Sequence, residues 1–290
     1  MRNVQRQRLL TQAGFFILFV LAPVFDLFRL DLNLGHFFFL GMNWTLGFED
    51  VLAKRISGTQ FGVNIIVRAG LPILSVIATG VWLSLKYGRI YCGWLCPHFS
   101  VVETINLVMR RAIGKHSIWD RHLSPERRAD GSPVQPNPWY WLLLVPLVLV
   151  FSFVWAIALL TYLLPPAEIY GNLWHATLTR NQSVFLSVAT ILLFIEFMFA
   201  RHLFCRFGCA VGYFQSLAWM GNRKALIIGF DRRRAESCAD CDTACENACP
   251  MRLKPRTIKR HMFTCTQCNQ CADACTQVQK DNPQGTLLKW

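Results

Sequence analysis

A chain of 290 residues and 33.3 kDa could hold one or two soluble domains on length alone, but 53% hydrophobic residues, only 16% charged ones and a mean hydropathy of +0.30 exclude a disordered chain. The formal charge of +13 leaves two classes, a nucleic-acid binder or a membrane protein. Twelve cysteines in so apolar a chain call for a metal reading before a disulfide one.

Residues 9–25 (LLTQAGFFILFVLAPVF) are apolar and follow Arg2, Arg6 and Arg8. No small-x-small cleavage site comes after them, so the run reads as a retained anchor and not as a signal peptide. Residues 36–48 (HFFFLGMNWTLGF) are also apolar but too few to span, and read as re-entrant or interfacial. Residues 65–85 form the next long run, broken only by Arg68, which is expected to snorkel to the headgroups. Behind it stands Cys92-x3-Cys96-Pro97, then an amphipathic stretch over 101–113 that can lie along the headgroups. Residues 139–164 carry no charge, and residues 184–200 carry one, Glu196. Each of the four long runs is near the roughly 20 residues that cross a bilayer as a helix. Four spans are predicted.

The fourth run is followed by Cys205-x3-Cys209 and a second amphipathic stretch over 211–220. Each pair is preceded by a basic residue, Arg89 or Arg201, and an aromatic stands before the first cysteine. The chain therefore reads as two copies of a two-span unit, residues 1–220, with a tail at 221–290. Residues four apart share a helix face, so each pair would present two thiols together, and the duplication could unite Cys92, Cys96, Cys205 and Cys209 in one site. Soft thiolates there suit copper(I), zinc or a further iron–sulfur cluster, or redox thiols; buried structural cysteines are the plainer alternative. His98 and His202 flank the pairs as candidate ligands or structural residues, and His36 and His175 are candidates to contact a quinone head. Glu196 is the candidate catalytic residue, a proton acceptor for a quinol, against a protonated or Arg201-paired carboxyl.

Sidedness follows from lysine and arginine. Three basic residues precede the first run, eight lie in 86–138 (Arg110, Arg111, Arg121, Arg127 and Arg128 among them) and fourteen lie from Arg201 onward. Loop 26–64 has three and loop 165–183 has one. Both termini are thus expected in the cytoplasm of a bacterial inner-membrane protein. The charge is then an orientation signal, and with no recognition helix or base-stacking motif the nucleic-acid reading falls away.

The tail holds Cys238-x2-Cys241-x3-Cys245-x3-Cys249-Pro250 and then Cys265-x2-Cys268-x2-Cys271-x3-Cys275. The second run has ferredoxin spacing, in which the fourth cysteine of each run ligates the other of two [4Fe–4S] clusters. Three thiolates on a tight loop reach three irons of one cubane, and the fourth points elsewhere. On that pattern Cys238, Cys241, Cys245 and Cys275 hold one cluster, and Cys265, Cys268, Cys271 and Cys249 the other. Zinc would not need the offset fourth cysteine, and disulfides do not suit a cytoplasmic domain. A unit this small, with few apolar residues between its cysteines, needs such a metal core. The first run has one extra residue, between Cys241 and Cys245, and Thr276 stands where proline is usual.

Residues 30–50, the Cys92-Gly-Trp-Leu-Cys-Pro motif and the segment from Cys205 through Phe214-Gln215-Ser216 together resemble the membrane polyferredoxins with four spans, two Cys-x3-Cys-Pro motifs and a tandem [4Fe–4S] tail. That group includes NapH-type quinol dehydrogenase subunits, the membrane part of the NosR regulator, and CcoG (also RdxA or FixG), the type this chain looks most like. The likeness covers nearly the whole chain. It departs at Ala210, where the family has proline, at the extra residue of the first run, and in ending at Trp290 without the periplasmic immunoglobulin-like domain and extra span of CcoG. The resemblance implies single-electron transfer between two cytoplasmic [4Fe–4S] clusters and a quinone-linked respiratory partner. Its alternatives are oxidase assembly with copper(II) reduction and redox sensing. It does not carry over docking that needs the missing domain.

Overall fold

The computed structural model describes residues 2–115, 117–120, 135–238 and 241–290; Arg121, Arg127 and Arg128 of the charge count lie outside the described residues. The chain is mainly helical. It divides into two compact units, one of Met1–Phe16, Leu83–Val150 and Phe194–Trp290, the other of Ile17–Trp82 and Phe151–Leu193. All four borders fall inside helices.

Among the described residues three helices are long and apolar enough to cross a membrane: Gly58–Tyr87, Tyr140–Thr161 and Arg180–Ala200. The first buries none of its apolar window against protein, and Val76 and Leu74 are 73% and 62% exposed. Such apolar surface is compatible with lipid and not with water. The first expected span is a helix, α1 (Arg2–Leu21), but its first half (RNVQRQRLLTQ) is polar and Arg8 and Gln12 are buried. It therefore does not join the three. The remaining long helices are α2 (Gly58–Tyr87), α3 (Pro97–Ile113), α4 (Tyr140–Thr161) and α5 (Arg180–Ala200).

The unit of Ile17–Trp82 and Phe151–Leu193 contains residues 36–48, expected to be re-entrant or interfacial. They form strands β2 (His36–Phe39) and β3 (Met42–Trp44), which join β1 (Phe28–Asp31) in an antiparallel meander. Phe28 faces Phe39, and Phe37 faces Trp44. Aromatic and alternating residues favour a strand over a short helix, and Gly35 and Gly41 supply the positive φ of the turns. Strand β1 donates from Leu30 and Leu32 to the carbonyls of Tyr162 and Leu163. Arg68, expected to snorkel, is exposed and hydrogen-bonded locally. It lies in a π-helical turn, Ile66–Gly70, its carbonyl accepts from the Trp44 indole at 2.8 Å, and its guanidinium donates to Thr45 O. The apolar core of this unit is Ala156, Ile157, Leu160, Ile169 and Leu186.

The other unit holds every cysteine. A short helix, Ile90–Trp94, carries Cys92, and α3 follows at once. A π-helical turn, Phe204–Gly208, carries Cys205, and α6 (Ala210–Gly221) follows it. The tail adds a short strand pair, Gly229–Phe230 with Leu288–Lys289, and helix α7 (Gln270–Val278). Asn222 Nδ2 donates to Leu85 O and Lys259 Nζ donates to Trp219 O and Asn222 O, tying the tail to the ends of α2 and α6.

Candidate metal centres

The two tail runs interleave. Cys249, Cys265, Cys268 and Cys271 line one cavity with Ile228, Met251, Leu253, Pro255 and Met262. Cys238, Cys241, Cys245 and Cys275 line a second with Phe230, Arg256 and Gln279. Each cavity thus takes three cysteines from one run and the fourth from the other. Local geometry explains how. In the second run Asn269 turns the chain with a φ of 63° and caps α7, which carries Cys271 and, one turn on, Cys275. In the first run the extra residue is absorbed by two consecutive left-handed residues, Asp242 (φ 41°) and Thr243 (φ 51°), before Cys245. A β-branched threonine in that region is costly. Thr276 lets α7 continue, its hydroxyl donating to Ala272 O, where a proline would break the helix.

Four thiols around a largely apolar space are the donor chemistry of an iron–sulfur centre, and both tail sets fit it. Burial pushes the Cys249 and Cys265 thiols up to about 12 and Cys245 up to about 11. Backbone N–H groups oppose this at Cys249, where Leu253 N lies 3.4 Å from Sγ.

Cys92, Cys96, Cys205 and Cys209 lie close enough to perturb one another's charge. They are not on one helix face, as the spacing of four suggested. In each pair the first cysteine sits in a short helical turn and the second is the N-cap of the following helix: Cys96 for α3, with Pro97 after it, and Cys209 for α6, with Ala210 after it. Proline is favoured at that first helical position, and alanine is a good helix former there, which accounts for the departure at Ala210. A helix N-terminus favours a thiolate; Gly212 N donates to Cys209 Sγ. Burial pushes the Cys92 thiol up to about 12, Cys96 adding to the rise and Arg89 opposing it.

Arg89 is the residue that the charge count concealed. It is 1% exposed, donates to Ser216 Oγ at 2.5 Å and to Cys205 O at 2.8 Å, and has no ion pair among the described residues. Its Nη2 has no hydrogen-bond partner. The groups that favour its charge are Cys92, Cys209, Cys205 and Cys265. A buried cation without a compensating anion costs several kcal/mol, so this arginine calls for thiolates around it. Gly212 faces it so closely that a Cβ there would meet Nη1 at 3.0 Å.

Cys92, Cys96, Cys205 and Cys209, together the boundary set, meet the tail directly. Cys96, Cys205 and Cys265 pack on the cluster of Phe99, Trp219, Cys249, Met251 and Met262. The indole of Trp94 donates to Gln267 O, and a Cβ on Gly93 would lie 2.1 Å from Thr266 O, so only glycine fits. Arg8, buried and paired with Glu103, donates to Gly93 O, and Gln5 donates to Cys268 O. Cys205 Sγ lies 3.4 Å from His98 Nδ1, and His98 Nε2 lies 2.9 Å from Glu196 Oε2. Glu196 is thus paired with His98 and not with Arg201, and the π-helical turn Glu196–Ala200 places it there. His202 packs on Phe99. His36 and His175 belong to the other unit, His36 with Nδ1 3.2 Å from Leu34 O and His175 ending a short helix.

A sequence profile described as a 4Fe-4S binding domain matches residues 69–116 and 181–227, one boundary cysteine pair in each segment. YccM of Escherichia coli (strain K12), provisionally named for electron transport, is 27% identical over 72% of this chain and 54% of its own length. MJ0750 of Methanocaldococcus jannaschii is 25% identical over 70% of this chain and 75% of its own. RdxA of Cereibacter sphaeroides is 25% identical over 76% of this chain and 47% of its own. The chain therefore spans about half the length of YccM and of RdxA. No solved structure matches it.

Proposed function

Starting from the chain as a YccM- and RdxA-like 4Fe–4S membrane protein with an iron–sulfur electron-transfer role, we propose that it passes single electrons between a membrane partner and two [4Fe–4S] clusters in a cytoplasmic tail. The observation that carries this reading is the unbroken succession of three four-cysteine sets. The boundary set packs through Cys96 and Cys205 on the core that holds Cys249 and against which Cys265 also packs. The inner tail set in turn adjoins the outer one through Cys271 and Cys245, which share a buried cluster.

Residues 1–220 form the membrane part, with α1 as a fourth span and two repeats, and residues 221–290 the electron-transfer part. The two parallel cysteine caps and the two profile matches support the repeat. Cys265, Cys268, Cys271 and Cys249 hold the inner cluster, and Cys238, Cys241, Cys245 and Cys275 the outer. When bound, such clusters supply one-electron chemistry; the protein supplies spacing, ligation and electrostatics. Cys92, Cys96, Cys205 and Cys209 hold a third thiolate centre, and buried Arg89 balances its charge. Glu196, through His98, holds a proton acceptor beside that centre, as a quinol donor requires. The basic segments keep the tail and both termini on the cytoplasmic side of a bacterial inner membrane.

Anaerobic purification with iron, sulfide, copper and zinc analysis, and EPR of the reduced protein, tests this. Eight irons per chain with interacting spin signals support two four-iron tail clusters. Twelve irons make the boundary centre a third cluster, and eight with copper make it a copper site. Zinc without sulfide contradicts the proposal.

A further inference from the structure

A cavity of about 280 Å³ opens beside the inner tail set, and none of the roles above uses it. Its walls come from α3, from the turn before residue 121, from the segment after α5, and from Ala248, Pro250 and Met251 on either side of Cys249. Four arginines line it: Arg110, Arg201, Arg206 and Arg252. Among the described residues only two carboxylates do, and both are engaged. Glu103 pairs with Arg8 and accepts from Gln270, while Asp120 takes Arg252 in a two-pronged ion pair.

Arg110, Arg201 and Arg206 have no ion-pair partner among the described residues. Arg201 is 3% exposed, and its guanidinium donates to neutral groups, Asn106 Oδ1 at 2.9 Å and the Met109 sulfur. Burial pushes Arg201 down to about 10, and the like charge of Arg252 adds to that. Burial lowers Arg110 as well. The backbone at Arg201 is also strained, with φ at 46°, as recurs where a side chain is held for a ligand. Asp120 offsets part of the charge at Arg201, but among the described residues four guanidinium groups face only two carboxylates in this partly desolvated cavity, an excess of positive charge that an entering anion would balance. Guanidinium forks match phosphate oxygens in a two-point geometry.

We propose that this cavity binds the phosphate group of a small phosphorylated anion, held by Arg110, Arg201 and Arg206. The same chemistry fits a free phosphate compound and the headgroup of an anionic phospholipid. Because its wall includes both neighbours of Cys249, an occupant sits next to the inner tail set and its charge is felt there. The binding claim rests on the arginines alone and stands apart from the electron-transfer reading.

The test uses the full chain. Equilibrium dialysis in detergent measures inorganic phosphate, and nanodiscs of phosphatidylcholine with and without phosphatidylglycerol measure retained lipid. Single-site saturation by phosphate identifies a free phosphate compound as the source, and selective retention of phosphatidylglycerol identifies lipid. Either result should weaken about tenfold or more in Arg110→Gln and again in Arg206→Gln, in line with the strength of charged hydrogen bonds. It should be unchanged in Arg233→Gln, an exposed position outside the cavity. Iron content equal to the parent shows that the variants are folded. No saturable binding of either probe, or binding that survives both cavity substitutions in folded protein, overturns the proposal.

Discussion

The two tail cavities each present four cysteine thiols, in unlike surroundings. The inner one is walled by Ile228, Met251, Leu253 and Met262, and Cys249, Cys268 and Cys271 are buried. The outer one has Arg256 and Gln279 in its wall, and Cys238 and Cys241 are only half-buried. Cluster potential and durability depend on charge, hydrogen bonds and solvent around the sulfurs, so clusters held as proposed would differ between the two sets. The inner set also contributes Cys249 to an apolar core with Phe99 and Trp219, on which Cys265 packs. The outer set does not.

The largest expected effect breaks this asymmetry at its root. Cys268→Ser should remove the inner centre and loosen the core built on it, taking nearly all tail iron with it. Cys238→Ser should remove only the outer half. Iron and sulfide analysis distinguishes these outcomes, and equal losses would mean the two sites are interchangeable. Next in size is the response to air. The outer centre should bleach first, its EPR signal decaying while the inner persists. Simultaneous decay would place both behind one barrier.

A smaller effect is electrostatic. Arg256 pairs with Glu246 at 2.8 Å and stands among Cys238, Cys241 and Cys245. Arg256→Gln removes a positive charge that favours the reduced, more anionic state. The outer midpoint potential should fall and the inner one stay, as read in an EPR-monitored redox titration.

The smallest effect is on pH. Cys249 and Cys265 sit near 12 and Cys245 near 11, against an ordinary 9.0, because burial disfavours the thiolate. The metal-free fold binds these protons more tightly than the unfolded chain does. Its contribution to stability is therefore complete below about pH 9 and is lost as pH rises toward 11 to 12. Metal-stripped protein should unfold at lower denaturant at pH 10 than at pH 7.5. Loaded protein should show the opposite trend toward acid, where protons displace metal from thiolates. Denaturation midpoints across that range check both signs.

Much of the tail was legible because cysteine spacing is a direct statement of geometry. The interleaved grouping, Cys275 with the first run and Cys249 with the second, is where the structure puts those residues. The extra residue was visible too, but not its accommodation at Asp242 and Thr243. Other features were hidden by physics that a one-dimensional reading averages away. Arg8 and Arg89 counted as orientation charges, yet both are buried, one paired with Glu103 and one facing thiols. The repeated basic residue ahead of each cysteine pair was the available signal. The strand pairing within residues 36–48 was hidden because composition records apolarity and not pairing. The two boundary pairs looked like helix faces because spacing does not reveal an N-cap.

The central claim is that electrons pass between the membrane and the tail through the boundary cysteines. Anaerobic mixing of the full chain with a quinol, followed by EPR of the tail centres, tests it in the parent and in Cys205→Ser. The account predicts reduction in the parent and none in the variant, with both fully reduced by dithionite. Equal quinol-driven reduction of the two proteins would contradict it.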